Sequence, residues 1–199
     1  MELKNKRIVI GITSAFYAIE KVIPQIEELI NNGADIIPVM SFNCYNLDFK
    51  GLSKQIENIT GKKIIHTIED AEPIGHRIST DIMAIIPCTG NTIGKLANGI
   101  IDTPVLVSAK TNLKSGNNLV IGVATNDGLS IEAENIGKLL KQKNVFFRNV
   151  KTNEKISINV ASFEFIKYIG RIYNIYDLYK KIYKNEELDN LEKNSSSSF

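Results

Sequence analysis

The chain is poor in the residues that build metal and disulfide sites. It has two cysteines, Cys44 and Cys88, and two histidines, His66 and His76. Two thiols make no disulfide framework and fit a reducing compartment. Two imidazoles leave a histidine-based metal centre short of ligands, so no metal is expected. No segment reaches the roughly 20 unbroken apolar residues of a membrane helix. The opening MELKNKRIVIGIT has too short an apolar run, and no small-residue cleavage pattern, for a secretory signal. A cytoplasmic protein with no membrane partner is expected. An excess of one charge is missing too: Lys+Arg 24 against Asp+Glu 22 leaves +2, which does not suggest a nucleic-acid partner. Walker motifs, a GxGxxG fingerprint, Cys/His clusters, catalytic carboxylate pairs and internal repeats are also absent.

What is present is an alternation of short apolar runs with helical patterns. Residues 7–12 (RIVIGI), 36–40, 82–87, 104–109 (PVLVSA), 119–124 (LVIGVA) and 145–147 read as strands, with a short one at 63–66. Helical spacing runs through 18–32, where Ile19, Val22, Ile23, Ile26, Leu29 and Ile30 recur, and Gly33 follows as a terminator. Shorter helices are expected at 52–59, 93–100 and 131–142. Strands apolar on both faces and separated by helices predict a doubly wound α/β fold, Rossmann-like or flavodoxin-like, around a parallel sheet. This domain should span residues 4–155. An aromatic-striped helix at 163–183, within the segment 156–185, should pack on the domain or on another subunit. Residues 186–199 read as a polar, disordered tail.

In such sheets ligands sit beyond the carboxyl ends of the strands. Small and polar residues collect at those ends: Gly11, Thr13 and Ser14 after the first strand, Ser41 after the second, and Thr89, Gly90, Asn91 and Thr92 after Cys88. Lys110 follows the run 104–109, and Asn126 follows 119–124. Any one loop of this kind can be a helix cap, but capping needs one such residue and the loop after Cys88 has three. Cys88 reads better as a small buried residue than as a nucleophile. His76 reads better as a loop histidine with a local hydrogen bond than as a base.

The stretch PCTGNTIGKLANGI, with the GIT loop upstream, resembles the flavoprotein family of flavin-containing decarboxylases and their relatives. The resemblance implies a doubly wound sheet, bound FMN and a homo-oligomeric core. It would place the FMN phosphate near Gly11, Thr13, Ser14 and Ser41, and the isoalloxazine ring near Thr89 to Thr92. ENITGKKIIHTIEDAEPIG, TDIMAIIPCTGNTIGKLANGIIDTPVLVSAK and VIGVATNDGLS are similar to one branch of that family. The likeness covers about residues 4–153.

In that branch the chain is the smaller subunit of an oxidoreductase that aromatises a dihydropyridine dicarboxylate. The likeness therefore implies a larger partner subunit carrying NAD(P), and a small dicarboxylate substrate. Lys110, Asn91 and Asn126 are candidates to hold its carboxylates; no base is assigned. Other branches lose their key residues here. Thr125 stands where the prenyltransferases carry an Arg, and Thr111 where the decarboxylases carry an Asn. His76 lies too near the following strand to match the decarboxylase His, and no late Cys exists. A free-standing FMN decarboxylase or prenyltransferase, or a non-catalytic scaffold, are the alternatives.

Overall fold

The first strand, β1 (Arg7–Ile12), lies inside the sheet, flanked by β2 (Asp35–Met40) and β3 (Ile82–Cys88). The computed structural model describes residues 3–125 and 132–148. β4 (Asn118–Val123) and β5 (Val145–Arg148) continue the sheet, giving the order β2-β1-β3-β4-β5 with every neighbour parallel. This is the flavodoxin-like winding, which reverses between β1 and β3. Val9, Met83, Ile85, Leu119 and Ile121 belong to one core cluster with α5 (Gly90–Ala97), α6 (Pro104–Lys114) and α7 (Ala133–Leu140). Their alternates Ile8, Ile10, Ile12, Ile82 and Val120 are equally buried. The sheet is thus covered on both sides, as all-parallel sheets require. Each fully buried Ile contributes about 1.5–3 kcal/mol by leaving water. Against β2 and β3 also lies α1 (Phe16–Asn31), which packs with α3 (Leu52–Thr60).

Among the described residues there are also the one-and-a-half-turn α2 (Phe42–Leu47), a 3-10 turn (Phe49–Gly51) and the single turn α4 (Ile68–Ala71). Gly33, with φ 91°, and Gly61, with φ 66°, follow α1 and α3 in the left-handed conformation a glycine tolerates.

Two elements differ in kind from the expectation, and a third in its bounds. Residues 104–109 are the first half of helix α6, not a strand. Val105, Leu106, Val107, Ser108 and Ala109 are all buried, and a helix buried all round has no polar face to reveal its period. Residues 63–66 make only a single parallel bridge, Ile65 to Val39, on the outer edge of β2. The helix expected at 93–100 starts at Gly90 and ends at Ala97. The aromatic helix at 163–183 and the polar tail lie outside the described residues.

Polar contacts fix the end of the sheet opposite the cleft described below. Asn112, fully buried in α6, accepts from the Thr80 hydroxyl at 3.1 Å and donates to the Asn118 carbonyl at 3.0 Å. Asn117 Nδ2 reaches the Thr80 carbonyl at 2.7 Å. Nearby, Asp35 accepts from both Lys62 and Arg7.

Candidate functional site

The carboxyl ends of β1, β2 and β3 converge where the winding reverses, and a cleft of ≈ 180 Å³ opens there. Thr13 and Ser14 enter it from the loop after β1, and Ser41, Phe42 and Asn43 from the start of α2. Thr89, Asn91 and Thr92 line it from the entry of α5, with Lys95 one turn further on. Asp102, Thr103 and Leu106, at the entry of α6, complete the wall.

Thr13 ties two of these loops together. The residue is 1% exposed, and its hydroxyl donates to the Pro87 carbonyl at 2.7 Å and accepts from the Thr89 amide at 3.0 Å. The Thr13 amide donates to the same Pro87 carbonyl at 3.2 Å. The end of β3 is held against β1, so the entry to α5 sits at a set position.

That entry is open. Thr89 stands at the N-cap of α5 in extended conformation, yet its hydroxyl pairs with that of Thr92 at 3.0 Å and caps no amide. Ser41 at the start of α2 caps none either, and α1 also begins without a side-chain cap. Thr103 and Thr67, by contrast, cap α6 and α4 by accepting from Leu106 and Asp70 amides. Uncapped first-turn N–H groups and the positive end of α5, next to hydroxyls, form a donor set suited to an anionic group.

Among the described residues, Lys95 and Asp102 are the charged ones lining the cleft, paired at 2.6 Å. Cys88 lies beneath it, fully buried; burial, and then Glu132, push its thiol up, which suppresses the thiolate a nucleophile needs. Burial, and then Asp48, push Cys44 up to about 12. No group of three or more His, Cys, Asp or Glu that could hold a metal occurs among the described residues, and no helix there is long and apolar enough to cross a membrane.

A family model described as Flavoprotein matches residues 1–184. The chain belongs to the Flavoprotein family. It is 42% identical over 150 residues to the B subunit of dipicolinate synthase of Bacillus subtilis (strain 168), covering 73% of this chain and 75% of that one. Among solved structures, the dipicolinate synthase B subunit from Bacillus halodurans is similar with a TM-score of 0.68 and 35% identity, over 74% of this chain and 78% of that one. AnUbiX in complex with FMN and dimethylallyl pyrophosphate shares the fold at a TM-score of 0.63 and 17% identity, over 86% and 93% of the two chains.

In this Flavoprotein chain the expected cofactor residues separate into two groups. Thr13, Ser14, Ser41, Thr89, Asn91 and Thr92 line the cleft; Gly11 and Gly90 do not. Gly11 is a strand residue whose missing side chain admits α6: a Cβ there would lie 3.0 Å from Val105 Cγ1. Gly90 lets Thr125 and Glu132 approach α5, since a Cβ would meet Thr125 Oγ1 at 3.0 Å and Glu132 Oε1 at 3.1 Å. Lys110 is exposed in the second half of α6 and does not reach the cleft, which is a consequence of 104–109 being helix. Asn126 lies outside the described residues.

The lining residues not expected from the sequence are Phe42, Asn43, Lys95, Asp102, Thr103 and Leu106. Two signals pointed to those on α5 and at the entry of α6. Lys95 follows Asn91 at i+4 and so shares its helix face. Thr103-Pro104 is the Thr-then-Pro pair that opens a helix.

Proposed function

We propose that this chain is the smaller, B-type component of dipicolinate synthase, a sporulation enzyme, working with the larger A-type component that carries NAD(P). The reaction is the oxidation of dihydrodipicolinate to dipicolinate, in which a hydride passes to the nicotinamide and a proton leaves to complete the aromatic ring. The observation that carries this reading is the 42% identity to the Bacillus subtilis protein, spread over three quarters of both chains. The cleft supports it: it is lined with hydroxyl and amide donors and a lysine, which suit a small carboxylate-bearing molecule.

The same donors fit the phosphate of FMN. Ser14, Ser41 and the uncapped amides of the adjoining helices would hold the phosphate, and Asn91 would face the polar edge of the flavin. When bound, FMN supplies a two-electron acceptor. The cleft, at ≈ 180 Å³, falls below the roughly 300–1,000 Å³ of sites that enclose a drug-sized ligand. That volume matches a small dicarboxylate or the phosphate end of a flavin. Thr13 acts indirectly, holding the β1 and β3 loops together so that these donors keep their spacing.

The test is co-production with the larger component, followed by an assay of dipicolinate formed from dihydrodipicolinate and NAD(P). Product is expected from the mixture and not from this chain alone. Turnover by this chain alone, or none by the mixture, would overturn the reading.

A further inference from the structure

Among the described residues lining the cleft there is one cation, Lys95. Lys95 enters the cleft from α5, one turn beyond Asn91, and its side chain is 27% exposed. Its ammonium has three N–H donors, of which one is engaged by Asp102 Oδ2 at 2.6 Å. Two donors are left for a ligand. Asp102, opposite on the segment leading into α6, holds the ammonium at the wall of the cleft. The lysine that the sequence suggested for carboxylate binding, Lys110, is exposed elsewhere on α6.

We propose that Lys95 is the carboxylate-binding residue of the cleft, with Asp102 as the positioning residue that aims it. The proposal rests on the dipicolinate synthase reading for the identity of the ligand, a small aromatic dicarboxylate. The geometry suits that class. Asn91 and Lys95 lie four residues apart on one helix face, ~6 Å along the axis. Carboxylates at positions 2 and 6 of a pyridine ring stand a comparable distance apart. One is taken by the Asn91 amide and the open first turn of α5, the other by Lys95. A monoanion engages only one of the two.

The experiment uses the full-length chain mixed with the larger component, with dipicolinate itself as the titrant and melting temperature as a check on folding. Lys95→Gln is expected to weaken dipicolinate binding roughly 10- to 100-fold, the value of a charge-assisted hydrogen bond, at an unchanged melting temperature. Lys95→Arg keeps the charge and restores most of the affinity. In turnover the Gln variant should raise KM for dihydrodipicolinate far more than it lowers kcat.

An unchanged affinity in Lys95→Gln overturns the proposal, as does an equal loss in the Gln and Arg variants. If the wild-type mixture makes dipicolinate without measurable affinity for it, Lys95 loses its role while the functional reading stands. If the mixture makes none, yet the chain binds dipicolinate in a Lys95-dependent way, the functional reading falls and the site stands.

Discussion

Removing one hydroxyl tests whether the β1 and β3 loops are held as described. Thr13→Val keeps the shape of the side chain and deletes both of its hydrogen bonds, to the Pro87 carbonyl at 2.7 Å and from the Thr89 amide at 3.0 Å. The Pro87 carbonyl still accepts from the Thr13 amide, so that side loses about 1 kcal/mol, the net value of one ordinary hydrogen bond. The Thr89 amide is left without its acceptor, a cost of about 1–3 kcal/mol. Thr89 borders the cleft, where water can reach, so the lower half of that range applies. The expected loss is roughly 2–3 kcal/mol, or a fall in melting temperature of about 4–12 °C for a chain of this length.

Thr13→Ser is the control. It retains the hydroxyl and sheds one methyl group, about 1 kcal/mol. Paired denaturant and thermal unfolding curves read the difference directly. If the valine variant is as stable as the serine variant, the two bonds do not hold the loops, and the account of a fixed entry to α5 is refuted.

Asn112→Ala should cost about 2–4 kcal/mol in denaturant unfolding, since it strips the buried Thr80–Asn118 link and deprives the buried Thr80 hydroxyl of its acceptor; a loss below about 0.5 kcal/mol would contradict the link. Asn91→Ala should weaken ligand affinity by roughly 1–3 kcal/mol with little change in stability, a split that a melting curve and an FMN or dipicolinate titration resolve. Both thiols should resist alkylation at pH 8 in the native protein and react fully in denaturant, because burial pushes Cys44 up to about 12 and raises Cys88 as well; rapid native labelling of either counts against it. At Asp35 burial raises the carboxyl's pKa, but the hydrogen bonds from Lys62 and Arg7 outweigh it and hold the group below its usual value. A depressed carboxylate stabilises the fold above its unfolded pKa and loses that contribution as pH falls through the folded one, so Asp35→Asn should flatten the acid limb of the stability profile below about pH 4. Identical acid limbs would show that the pair contributes nothing.

The sequence revealed the sheet because its strands carry the signal in themselves. RIVIGI and the run ending at Pro87 are apolar on nearly every residue, a pattern that a parallel, doubly covered sheet demands. It also revealed which loops meet, since strand ends in a doubly wound sheet all face one edge. Thr13, Ser14, Ser41, Thr89, Asn91 and Thr92 were legible for that reason. What those residues do was less legible. Thr13 looks like a ligand donor in the sequence, but a contact to Pro87, 74 residues away, engages its hydroxyl within the protein. Thr89 looks like a cap, but the hydroxyl three residues on engages it instead.

The largest miss, residues 104–109, shows where reading by period stops working. Val105, Leu106 and Val107 favour a strand by propensity, and a fully buried segment offers no polar face to contradict them. Tertiary packing overrides the propensity: α6 fills the space that Gly11 leaves free, with Val105 set against the glycine of β1. The stronger local evidence was the Thr103 cap with Pro104 at the first helical position, which orients the start of α6 toward the cleft. Reading that pair first turns Lys110 away from the site. It also places Asp102, one residue before the cap, in reach of Lys95, so the charged pair of the cleft follows from getting one helix start right.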